Sequence, residues 1–290
     1  MNRINGFINL DEMINNGDIK KLDITYENSS INDLDIFLYN DDIYFYKSTM
    51  TDPYNELVAE EILSDFNLPS ATYDLALYKG NKGVITKSFR KKDKKYIGGE
   101  ELIEDYLKHI YKGEISNIST TDYNNLEGIW NALDYRYKDK DNRTEIVYNI
   151  VDKLVDMFIF DILTGNYDRY SSNYEIEEDS NSAELAPIFD NEKMLKYTIL
   201  SFGVSNDENS SRNLYMQLDN FMKISDYSYI ERIKDKLWII DKDNLTKIFN
   251  RIENKTQSKM SDELKENYYS KFAFQKEKLE EILNEYKNIK

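Results

Sequence analysis

The apolar residues of this chain turn from mainly strand spacing to mainly helical spacing near residue 90, and that change restricts the fold more than any other feature of the sequence. Before it, residues 22–26, 34–39 and 43–47 alternate apolar with polar side chains, the period of a strand with one buried face. Asn40-Asp41-Asp42 supplies a hairpin turn between the last two of these strands. A helix is predicted from about Tyr54, with Leu57, Ile62 and Leu63 on its buried stripe and Asp52-Pro53 as its start signal. Strands at 71–78 and 83–89 then flank the turn Lys79-Gly80-Asn81-Lys82. After Arg90-Lys91-Lys92 the apolar residues recur at helical spacing, over 99–111, 123–136 and 145–163 and in further helices from 214 to the end, the last spanning 261–290. Gly165 is placed to end the third of these helices, and only 173–176 and 185–188 read as strands in this part. No repeat or linker interrupts the chain. The expectation is an α+β fold in two lobes, a small β-rich lobe over residues 1–90 and a larger helical lobe over 91–290.

Composition removes several chemistries. The chain of 290 residues contains no cysteine, which excludes disulfides, thiolate metal sites and a cysteine nucleophile. His109 is the sole histidine, so serine-histidine catalysis and multi-histidine metal sites are set aside, and a surface or core role is expected for it. A formal net charge of -16 opposes direct binding to nucleic acid, whose affinity for proteins comes from lysine and arginine displacing counterions. The opening residues carry acids where a signal peptide needs an apolar run, and the most apolar stretch, 154–163, is short and contains Asp156 and Asp161. No membrane span is expected, and the location expected is the cytoplasm, with secretion as an effector compatible.

The chemistry-bearing segment is Gly165-Asn166-Tyr167-Asp168-Arg169-Tyr170-Ser171-Ser172-Asn173, followed by Ala186-Pro187-Ile188-Phe189-Asp190. Phosphoryl transfer needs a carboxylate to orient the acceptor, metal ligands for the triphosphate and a lysine on the phosphates, because its catalysis is mainly positioning and charge neutralisation. Asp168 and Asn173 have the separation of the aspartate and asparagine of a kinase catalytic loop, and Asp190 follows a short apolar strand, where a kinase places its metal-binding aspartate. Such oxygen donors suit Mg²⁺. Asp161, an acid in an apolar helix just before this loop, reads as a structural hydrogen-bond acceptor, and the basic run Arg90-Lys91-Lys92 with Lys94-Lys95 reads as a solvated loop.

These blocks, together with Ile162-Leu163-Thr164-Gly165-Asn166, Tyr46-Lys47 and Asn55-Glu56-Leu57-Val58-Ala59-Glu60, resemble the HipA-like serine/threonine kinases, particularly their short bacterial members, over roughly residues 20–195. The resemblance implies a HipA-like kinase fold that uses ATP and Mg²⁺ to phosphorylate serine or threonine of a protein, its own chain included. It makes Asp168 the catalytic aspartate and Asn173 and Asp190 the metal ligands. It puts Lys47 on the α- and β-phosphates, with Glu56 pairing to Lys47 and Glu60 as substitute, and adenine on main-chain groups from Lys87 to Phe89. It also implies a small antitoxin-type partner. The chain departs from the family in having Tyr170 where histidine is usual, Asn191-Glu192 where a glycine follows the metal aspartate, and no glycine in 27–32, the segment expected over the phosphates. These departures keep two alternatives open: a pseudokinase acting as a nucleotide-dependent interaction module, and a kinase of a lipid or small molecule.

Overall fold

The computed structural model describes residues 3–23, 34–48, 52–113, 115, 118–166, 168–195 and 229–287. Among them, seven strands form one sheet in the order β1-β2-β6-β7-β5-β4-β3. These are β1 (Arg3–Ile4), β2 (Phe7–Asn9), β3 (Lys20–Leu22), β4 (Leu34–Tyr39), β5 (Asp42–Ser48), β6 (Tyr73–Tyr78) and β7 (Asn81–Lys87). β2 runs parallel to β6, and the other neighbours are antiparallel. Asn40 and Asp41 close the β4–β5 hairpin with φ of 49° and 65°, the left-handed region that these two residue types tolerate best after glycine.

Alternation along the strands gives the sheet two covered faces. Tyr46, Ala76, Tyr78 and Ile85 join Leu10 and Met13 of α1 (Leu10–Asn15) in a small core on one side. Tyr73, Leu75 and Val84 join Leu57, Val58 and Ile62 of α2 (Tyr54–Asp65) in the main core on the other. Lys47 stands opposite Val84 in the β5–β7 register, so it lies on the α2 face.

The rest is mainly helical: α3 (Gly99–Ile110), α4 (Leu126–Arg136), α5 (Arg143–Thr164), α6 (Tyr229–Lys236), α7 (Lys242–Thr256) and α8 (Asp262–Lys287). α5 ends where expected, at Gly165 with φ 62°. A small sheet, β10-β9-β8, joins β8 (Lys95–Gly98), β9 (Glu175–Glu178) and β10 (Ala183–Leu185). Among the described residues no helix is long and apolar enough to cross a membrane.

Three expectations are corrected. β1, β2 and α1 were not foreseen, because strands of two and three residues carry no readable period. β8 was missed because it follows directly on the basic run. That run is no free solvated loop: Arg90 pairs with Glu175, Lys91 with Glu177 at 3.0 Å and Lys94 with Asp179, so alternate acids of β9 and its following turn receive the bases. The segment 27–32, the end of the strand expected at 22–26, and the helix start expected at 214–228 lie outside the described residues.

Candidate active site

The site grows from the C-terminus of α5. Asp161 is 3% exposed, and an acid so buried needs a cation to replace its lost water. Arg169 supplies it: Nε and Nη2 donate to the two carboxylate oxygens at 3.1 Å each, a bidentate pair. Burial works against the charge on Arg169, but the attraction of Asp161 outweighs it and holds the guanidinium firmly protonated. Asn166 adds a bond from Nδ2 to Asp161 at 2.8 Å, so Asp161 is the structural acceptor that the sequence predicts.

The same guanidinium fastens the two chemical segments together. Nη1 donates to the carbonyls of Asn173 at 3.0 Å and Phe189 at 2.8 Å, and Nη2 donates to Oδ1 of Asn191 at 2.6 Å. The main chain of Asn173 and the residue before Asp190 are thus pinned to one nitrogen. Within the loop, Nδ2 of Asn173 donates to the Asp168 carbonyl at 2.7 Å, which commits the nitrogen of that amide and turns its oxygen the other way. Asn124 supports the loop from outside, donating to the Arg169 carbonyl at 3.1 Å while accepting from the buried Tyr174 hydroxyl.

Asp190 has φ of 60°, a left-handed conformation that costs an L-residue about 1 kcal/mol or more. Its N–H donates to the hydroxyl of buried Tyr73 at 3.3 Å, and its carboxylate receives Lys47 Nζ at 2.6 Å. Lys47 also lies 3.3 Å from Glu192. Burial disfavours the lysine charge, yet Asp190 and then Glu192 overcome this and raise its pKa above the ordinary value.

The pair implied between Lys47 and Glu56 is not made. Glu56 is 1% exposed, and both its oxygens accept the Asn191 main-chain N–H, at 3.1 and 3.0 Å, with Asn191 Nδ2 at 3.4 Å. Asn191 therefore joins Glu56 of α2 on one side to Arg169 on the other. Burial and then the charge of Asp190 push the Glu56 carboxyl up to about 7, against the pull of Lys47 and the Asn191 N–H. Glu60 is likewise structural, accepting the Tyr73 N–H at 2.9 Å and Lys255 Nζ at 2.6 Å.

At the β7 end, the Lys87 side chain turns outward to Asp42 at 2.6 Å, and Ser88 N–H donates to the Ile43 carbonyl. Phe89 stacks on Phe189, with ring centroids 5.8 Å apart, so the exit of β7 touches the residue before Asp190. The structure therefore brings Lys47, Asp190, Asn173 and the Asp168 loop into one neighbourhood, and leaves the Lys87 side chain outside it. Sequence reasoning missed Arg169, Asn191, Asn124 and Tyr73. Only Arg169 had a signal, the buried Asp161 eight residues before it, which demands a nearby cation.

No family model matches this chain, and no curated protein does. Among solved structures, the Helicobacter pylori proinflammatory kinase CtkA is similar with a TM-score of 0.62 and 20% identity, over 91% of this chain and 94% of that one. HipA from the Shewanella oneidensis MR-1 toxin–antitoxin complex with HipB and operator DNA gives a TM-score of 0.47 and 13% identity, over 92% of this chain and 66% of that one. The first likeness is one of fold: this α+β chain, with its N-terminal sheet and helical remainder, has a kinase-like fold.

Proposed function

We propose that this kinase-like fold carries a Mg-ATP-dependent phosphotransferase that acts on serine or threonine of a protein, its own chain included. The observation that carries the reading is the ion pair of Lys47 with Asp190, 143 residues later, beside a guanidinium that ties the Asp190 segment to the Asp168–Asn173 loop. A lysine paired with a carboxylate, beside a loop that offers a second acid and an amide oxygen, supports this reading, because phosphoryl transfer requires these groups.

The donors fit magnesium bound with a nucleotide. Among the described residues no three histidine, cysteine or acidic side chains form a metal cage of their own. Mg²⁺ is commonly held by one or two carboxylates plus phosphate oxygens, and Asp190 with the Asn173 amide oxygen would supply the protein's share. Mg-ATP brings the transferable phosphoryl group and the charge that neutralises it. Lys47 would hold the phosphates, exchanging part of its bond to Asp190 for them. Asp168 would orient the acceptor hydroxyl and accept its proton. Main-chain groups around Phe89 would meet the adenine. The resemblance in the residue blocks brings with it a small antitoxin-type protein as regulating partner.

Transfer of label from γ-labelled ATP into the protein and into a bacterial lysate tests this. Label on serine or threonine is expected, falling by about a hundredfold or more in Asp168→Ala and Asp190→Ala. A second reading has its own observation, the withholding of Glu56 from Lys47. A nucleotide-dependent interaction module would bind Mg-ATP and transfer nothing.

A further inference from the structure

Asn55 stands beside Glu56 at the start of α2, and its amide faces two ways. On one side Nδ2 lies 3.0 Å from the Glu192 carbonyl and 3.4 Å from that of Met194. Carbonyls only accept, so the amide must present its nitrogen to them and its oxygen to the opposite side. There the Tyr268 hydroxyl donates to Oδ1 at 2.7 Å. Tyr268 belongs to α8, 213 residues after Asn55, is 3% exposed, and packs its ring against Phe249 and Phe272. Glu56 meanwhile holds the Asn191 N–H. Two consecutive residues of α2 thus grip the main chain that follows Asp190, and α8 braces one of them from behind through the Tyr268 hydroxyl.

We propose that Tyr268 and Asn55 are positioning residues of the phosphate site: the hydroxyl locks the amide, the amide fixes the chain at 192–194, and that chain aims Asp190 and Glu192 at Lys47. The proposal rests on the reading of Asp190 as a metal ligand. Asp190 needs such restraint because its left-handed backbone relaxes to a commoner conformation if the residues after it are released. Glu192 shares the ammonium of Lys47, so a shift of the same segment moves both carboxylates. The C-terminal helix is then a working part of the site. If Tyr268 served only to fill space, phenylalanine would replace it without loss, since the ring keeps its aromatic neighbours.

Tyr268→Phe and Asn55→Asp test this, alone and combined, since a carboxylate cannot donate to the two carbonyls. Two readouts are taken at matched Tm. Hydrogen exchange follows the Asn191, Met194 and Leu195 amides, which donate to Glu56, to the Asn191 carbonyl and to the Thr164 carbonyl. Their protection is expected to fall about five- to tenfold in either variant, the equivalent of one lost hydrogen bond, while that of α5 and α7 stays. Phosphoryl transfer at varied Mg²⁺ is expected to need several times more metal for half-maximal rate, with kcat lower by about five- to tenfold and the KM for ATP at saturating metal within about twofold. The double variant should lose no more than either single one. Unchanged exchange and metal requirement in Tyr268→Phe, or losses that add, would overturn the proposal. If the native protein transfers no phosphoryl group, the kinase reading fails by itself, and the exchange experiment still decides whether α8 positions this segment.

Discussion

Glu56 and Arg169 are both charged groups sealed from water, and the network around them sets what each contributes. The Glu56 carboxyl is raised from an ordinary 4.5 to about 7, so between those values the folded protein holds a proton that the unfolded chain has released. The resulting stabilisation is full below the ordinary value and is lost as pH rises through about 7. At about 1.4 kcal/mol per pKa unit the effect is on the order of 3 kcal/mol. Unfolding by denaturant at pH 5 and pH 8 should therefore show the native protein losing stability with pH by more than Glu56→Gln does. Equal losses would remove Glu56 as the titrating group. At this scale the sequence was readable in pieces. Type and spacing singled out Asp168, Asn173 and Asp190 as candidates, and folding brings their segments together, but the partner of Glu56 had no such signal, because Asn191 lies 135 residues away.

Among the elements, α2 is held from both sides. Its inner face packs on the sheet, and α7 grips its outer side through Arg251 with Glu61 and Asp65, Lys255 with Glu60, and Asn244 with Asp65 at 2.8 Å. α3 is fitted to the Asp168–Asn173 loop as closely. A Cβ on Gly99 would fall 2.2 Å from the ring of Tyr174, whose hydroxyl supports Asn124 and through it the Arg169 carbonyl. Gly99→Ala should cost about 2 kcal/mol by overpacking. Gly98→Ala, where a Cβ meets nothing within 4 Å, should be nearly neutral, and a thermal melt of the two variants checks the contrast. Elements with at least a turn or two of clear period were legible: β4, β5, α2, β6, β7 and α3 to α5 lie within a few residues of their predicted places. β1, β2 and β8 were not, since so few residues draw their identity as strands from the neighbours they pair with.

The whole chain carries a net charge of -16, and among the described residues many basic side chains are tied to acids. An anionic nucleotide would be held against that overall field by Lys47 and by metal ions. A ligand that binds the folded state alone raises stability by mass action, about 2.7 kcal/mol at a hundred times its Kd. Calorimetry should accordingly show Tm rising with Mg-ATP, by more than with either component alone, and not rising in Asp190→Ala. The N-terminal sheet and α2 share one continuous core with the helices of the rest of the chain, and polar contacts rim it. On one side the residues after β7 are bound to β9 by the ladder of Arg90, Lys91 and Lys94. On the other, α7 grips α2, and Ser258 donates to the Asn5 carbonyl at 3.3 Å, in the β1–β2 turn. In addition Lys47, Asn55 and Glu56 bond to residues 190–194, and the main chain of Pro69 and Ala71 to that of Ile188. A seam stitched at this many points transmits displacement: moving Asp190 pulls on β5 through Lys47 and on α2 through Asn191, so the sheet and its helix register the state of this segment together.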